Sequence, residues 1–210
     1  MTMYRHRTAG ITLFTASVFS IVIMQHHPQR FNDGPMIGIV HGILIGLIWV
    51  MTTCLVRIAL VQGLSDFRNL MGITSLVTAS LANGFAGMIN GFVTPSLMEK
   101  LEGESLQELT TLCWTFNQSA AVIGAVGVSV GMFLWSSSWV RLPSRMSFRI
   151  VAITGLTGSF VCLGVLIAHR GELQVHAATL VYAIQSLWYA LVGIDQALSP
   201  IQPTNRESDL

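Results

Sequence analysis

Five histidines and five side-chain amides are the residues of this chain best suited to chemistry. His26, His27, His41, His169 and His176 lie at or near one end of long apolar blocks, while Asn83, Asn90, Asn117, Gln118 and Gln185 lie inside such blocks. Neutral imidazole is the commonest side-chain ligand for metals and also ligates haem iron. Several imidazoles from different helices could therefore hold a copper, zinc or iron centre. The expected donors are His41 and His176, the best pair because their blocks run the same way, with His26, His27 and His169 beside them. Met24, Met88 and Met98 stand near the same end and suit a soft metal. A wider set, His41, Asn83, Asn90, Asn117, Gln118, His176 and Gln185, reads as the lining of one polar pocket for a small ligand. Tyr182, Ser186 and Tyr189 continue downward on the block that His176 opens.

The same residues also have a plainer reading. A histidine at a helix end meets headgroups and water and needs no partner. Asn and Gln in membrane helices often tie two helices together, for about 0.6 kcal/mol on average. Catalysis has little support. There is no HExxH, no pair of histidines four apart on one helix, and no acidic residue inside the blocks to serve a zinc-bound water. Ser186 and His176 are ten residues apart on one block, about 15 Å along a helix axis, too far to form a dyad. Ser119 or Ser159 could meet a histidine only across helices. Cys54, Cys113 and Cys162 form no CxxC and read as small buried hydrophobes. The sequence thus leans away from an enzyme.

The elements that must position these residues are six apolar blocks, at about 9–25, 36–60, 70–94, 110–135, 150–168 and 175–194. Within them the only Asp, Glu, Lys or Arg is Arg57. A hydrocarbon core about 30 Å thick needs about 20 helical residues. The expected fold is all-α: one polytopic membrane bundle of six transmembrane helices over 1–210, in contact with the lipid bilayer, its tail 196–210 disordered. Charged residues make up only 10% of the 210, against about 25% in soluble domains. Net charge is +1 with no basic stripe, so nucleic acid is not an expected partner. Arg5 and Arg7 before the run Ile11–Met24 resemble a signal peptide, but Gln25-His26-His27-Pro28-Gln29 offers no small-x-small cleavage site. The run reads as an uncleaved first helix.

Arginine placement sets an expected orientation. With both termini cytoplasmic, the inner side holds Arg5, Arg7, Arg57, Arg68, Arg141, Arg145, Arg149 and Arg206, against Arg30, Lys100 and Arg170 outside. The histidine-bearing rim then faces outward, and Trp135 and Trp139 fall where an inner interfacial belt is expected, with Trp114 near the outer one. The longest loop, 94–108, contains a candidate short helix begun by Pro95 and Ser96. Small residues at four-residue spacing (Asn83, Gly87 and Gly91; Ala120, Gly124, Gly127 and Gly131; Gly155 and Ser159) predict that helices three, four and five form the tight centre. Arg57 either snorkels to the headgroups or pairs with Asp195, which would make helices two and six neighbours.

Three functions from different classes remain. The first is a protein that binds a small ligand, metal ion or haem in the outward pocket. The second is a small-solute or proton transporter, and the third a non-catalytic subunit of a larger membrane complex or homo-oligomer. Compactness and short loops suggest a bacterial inner membrane.

Overall fold

The computed structural model describes residues 3–26, 35–140 and 146–198. They form α1 (Met3–Gln25), α2 (Pro35–Gln62), α3 (Phe67–Met88), a π-helical turn (Ile89–Val93), α4 (Thr94–Lys100), α5 (Gly103–Trp139), α6 (Met146–Ala168) and α7 (Val175–Leu198), with no strand among the described residues. Six spans are long and apolar enough to cross a membrane: Arg7–Gln25, Met36–Gln62, Phe67–Lys100, Gly103–Trp139, Met146–Ala168 and Val175–Leu198. The protein is a multi-pass helical membrane bundle.

Most span boundaries lie within a few residues of the apolar blocks, but the third and fourth spans are longer. Phe67–Lys100 is one helical path of 34 residues and α5 has 37. At 1.5 Å per residue these are about 50 and 55 Å long, well beyond a core of about 30 Å. The expected loop at 94–108 is therefore mostly helix, broken only around Leu101 and Glu102. Pro95 does start a helical segment, as its N-terminal proline. It also explains the π turn before it. Proline has no N–H and crowds the preceding turn, so a regular ladder fails there. The chain widens by one residue instead, and Thr94 N–H bonds to Ile89 O, five residues back. At the other end of this path, Asp66 caps α3 by accepting from Arg68 N–H at 3.1 Å.

The spans pack as a ring in chain order, α1–α2–α3–α5–α6–α7 and back to α1, with α5 also touching α7 across it. Each seam has a readable cause. Gly10 and Gly193 bring α1 and α7 into backbone contact, and Ser20 Oγ meets Ser186 Oγ at 3.2 Å. Ser17 Oγ donates to Met51 Sδ between α1 and α2, and Thr52 Oγ1 donates to Ser80 Oγ at 2.6 Å between α2 and α3. Gly72, Gly127 and Gly131 let α3 and α5 approach, joined by Ser75 Oγ donating to Gly127 O at 2.8 Å. Phe133 meets Phe160 edge-on between α5 and α6, and Cys162 Sγ donates to Val181 O between α6 and α7.

Three expectations are corrected by this packing. The small-residue stripe of the third span does not face one centre: Gly87 and Gly91 pack on Ile45 and His41 of α2, while Gly124 of α5 packs on Asn83. The tight seams lie around the ring, and the first and sixth spans are among the closest. Trp135 and Trp139 do not face outward as a belt of headgroup-contacting rings. They are 0% and 2% exposed and pack with Trp188 and Phe148, Trp139 stacked and Trp135 edge-on to Trp188, in a plug near the arginine-rich end, where Trp139 Nε1 donates to Gln62 Oε1. Aromatic partners on facing helices reward this burial through ring–ring contacts. Arg57 and Asp195 form no ion pair. Asp195 is buried and accepts from Ser147 Oγ at 2.9 Å, tying α6 to α7, and Arg57 is half-buried. Trp114, by contrast, is exposed, about three turns into α5. Gln196–Leu198 continue α7; the rest of the tail, His27, Arg30, Arg141 and Arg145 lie outside the described residues.

Candidate functional site

The ring encloses a cavity of about 510 Å³, walled by α1, α2, α3, the π turn, α5, α7 and Leu173 of the α6–α7 connection. No residue of α6 lines it. Along α7 the lining runs from Val175 to Tyr189, about 21 Å of helix. Gln25, Trp114, Val175 and His176, all exposed, mark its rim at the histidine-bearing end. Met51, Leu55, Val128 and Tyr189 form its floor, and Tyr189 rests on Trp188 of the plug with ring centroids 5.5 Å apart.

All seven residues expected to share a pocket line this one cavity: His41, Asn83, Asn90, Asn117, Gln118, His176 and Gln185. Helices two and six need not touch for this; His41 and His176 reach the same space from different walls. Helical spacing explains the convergence. Ser80, Asn83, Gly87 and Asn90 recur at steps of three and four and so lie on one face of the third span. Ala178, Tyr182, Gln185 and Tyr189 do the same on α7.

Several of these groups are already engaged. Gln185 Nε2 donates to Ala125 O at 3.0 Å, linking α7 to α5. Gln118 clamps the α6–α7 connection: its Oε1 accepts from Leu173 N–H at 3.1 Å and its Nε2 donates to Leu173 O. Tyr182 Oη donates to Asn83 Oδ1 at 3.1 Å. His41 is buried against Gly91, and its Nδ1 lies 2.9 Å from Ile37 O, which places the proton of a neutral ring on Nδ1. Two amides differ. Asn117, only 5% exposed, and half-buried Asn90 face the cavity with no side-chain hydrogen bond to any described residue. Glycine makes room for this arrangement, since a Cβ at Gly124 would fall on the Asn83 amide.

The other expected metal donors lie elsewhere. His26 is exposed with its Nδ1 at 2.9 Å from Val22 O, and His169 is exposed at the end of α6; neither lines the cavity. His27 is outside the described residues. Among the described residues no three His, Cys, Asp or Glu side chains gather as a metal would require. The cavity therefore offers two imidazoles, three asparagines, three glutamines and several hydroxyls on an otherwise apolar wall, and none of its described lining residues is Asp, Glu, Lys or Arg.

The sequence reading missed Thr52, Ser80, Ser20 and Trp114 as wall residues. Ser80 was traceable, one turn below Asn83 on the same face. Thr52, Ser20 and Trp114 join through tertiary packing alone. Comparison of the chain with protein-family models, with curated proteins and with solved structures finds no match.

Proposed function

We propose that this protein binds one small, uncharged, amphipathic molecule in the central cavity, with the arginine-rich end of the bundle in the cytoplasm. The observation that carries the reading is Asn117. Its amide opens onto the cavity with no hydrogen bond to a described residue, so its donors and acceptor are available to a ligand oxygen or N–H there. The absence of charge among the described lining residues favours a neutral ligand, since burying an ion without a counter-charge is far more costly. Its size lies within the range of small-molecule pockets, about 300–1,000 Å³, and aliphatic residues such as Ile45, Ile48 and Leu55 suit an apolar body. The Trp135–Trp139–Trp188 plug separates the cavity from the arginine-rich end, which favours binding over free passage.

The test is organic extraction of protein purified in detergent, followed by mass spectrometry. Wild type is expected to release one neutral small molecule per chain. Ala121→Trp, which fills the cavity from its wall, and Asn117→Leu, which removes the polar contact, are expected to release at least tenfold less. Wild-type protein that carries no such molecule and shows no saturable uptake of long-chain alcohols contradicts the reading.

A further inference from the structure

A second cavity, of about 380 Å³, lies outside the ring between α4 and the first turns of α5. Its walls include Thr94, Met98, Leu106 and Thr110. It shares two residues with the central cavity, Asn90 and Trp114. These two side chains therefore stand between the two spaces. Resting on the function proposed above, we propose that the outer cavity is a lateral portal through which an uncharged amphiphile passes from the membrane interface into the bundle, with Asn90 and Trp114 as its gate.

Three features support a portal over a crevice of packing. First, depth: the neighbouring charges Glu99, Lys100, Glu102, Glu104 and Glu108 are exposed, whereas Leu109, Leu112 and Phe116, just below on α5, are exposed and apolar. The outer cavity thus sits where polar surface gives way to a lipid-facing one, the depth at which an amphiphile with a single polar end resides. Second, chemistry: its walls alternate hydroxyl or amide groups with Met98, Leu106 and Trp114, and none of the described lining residues is charged, the same mixture as the central cavity. Third, the gate has freedom to act. Asn90 belongs to the π turn, where the helical ladder is widened, and its side chain is held by no hydrogen bond to a described residue. Local π turns inside α-helices are frequent at functional sites. Trp114 is 52% exposed, so its indole is not locked by surrounding side chains.

The experiment uses the full chain and an octadecanol analogue bearing a diazirine, confined to phosphatidylcholine vesicles by its insolubility in water. Protein is inserted into the probe-bearing vesicles and irradiated at successive times, and adducts on cavity-wall peptides of α2 and α7 are counted by mass spectrometry. Leu106→Trp, which narrows the portal, is expected to slow adduct formation at least tenfold while leaving the final yield unchanged. Thr110→Cys in a Cys113→Ser background, blocked with a benzyl methanethiosulfonate, is expected to show the same slowing and to recover its rate on reduction, which separates obstruction from misfolding. Unchanged rates in both variants overturn the portal while leaving the cavity's binding role standing. Labelling by a short water-soluble analogue but not by the membrane-confined one overturns it too. The absence of any saturable cavity adduct in wild type overturns the underlying binding role.

Discussion

Replacing Gly193 by alanine is expected to open the ring at its α1–α7 seam. A Cβ added at Gly193 would lie 2.6 Å from Phe14 N and 2.7 Å from Gly10 O, both backbone atoms that no rotamer change can move. Ordinary contact begins about 3.4 Å away, so the two helices must separate by about 0.7–0.8 Å. That separation loosens every contact down the seam, from Ala9 and Leu13 to Val192, all buried. Overpacking of this kind costs about 1–3 kcal/mol. Alanine's better helix propensity returns up to about 1 kcal/mol, so a net loss of about 1–2 kcal/mol is expected. Gly164 supplies the control, because a Cβ there meets nothing within 4 Å. Gly164→Ala is expected to be neutral or stabilising by up to about 1 kcal/mol. Reversible unfolding by sodium dodecyl sulfate in mixed micelles, followed by tryptophan fluorescence, reads both. Equal stability of Gly193→Ala and Gly164→Ala would refute the seam as described.

Three further outcomes follow from the packing. Trp188→Ala, which hollows the plug at a residue with no exposed surface, is expected to lose about 3–5 kcal/mol in the same titration; a loss near zero would place the indole against lipid. Gln185→Leu removes the bond to Ala125 O and is expected to cost only about 0.6 kcal/mol, so a loss of several kcal/mol would mean the amide holds much more than one seam. N-ethylmaleimide is expected to modify half-buried Cys113 in folded protein and buried Cys54 and Cys162 only after unfolding; equal rates at all three would contradict the burial pattern.

The spans were legible because exclusion of charge from lipid is a strong constraint that a sequence states directly, as the lone Arg57 across six blocks shows. The convergence of the seven polar residues was legible for a related reason. Topology alone puts His41, Asn90, Asn117 and His176 at one depth, and an apolar solvent turns their side chains inward. Legibility failed where partners decide. The pair Gly10 and Gly193 are far apart in sequence and sit in no shared motif, yet Ser186, Ala190, Gly193 and Ala197 form a small-residue stripe that could have marked α7 as a contact face. Tryptophans near a helix end are ambiguous between an interfacial belt and a core. Only the arrival of Trp188 and Phe148 on other helices settles Trp135 and Trp139 as core. Pro95 read as the start of a separate short helix within a loop, because a proline opens a helix more readily than it continues one, and nothing in the residue pattern stated that a π turn would join that segment to the third span.

The central claim is that the six-helix ring surrounds a cavity reachable from the histidine-bearing end. The most direct measurement compares two alanines one turn apart on α5 in a cysteine-free chain: Ala121, which lines the cavity, and Ala125, which has no exposed surface and lies in the packed seam with α6 and α7. Ala121→Cys is expected to react with a small methanethiosulfonate in folded protein at least a hundredfold faster than Ala125→Cys, and to be protected when Ala86→Trp fills the cavity from the neighbouring wall on α3. Equal rates at the two positions, or reaction at Ala121→Cys only after unfolding, would contradict the account.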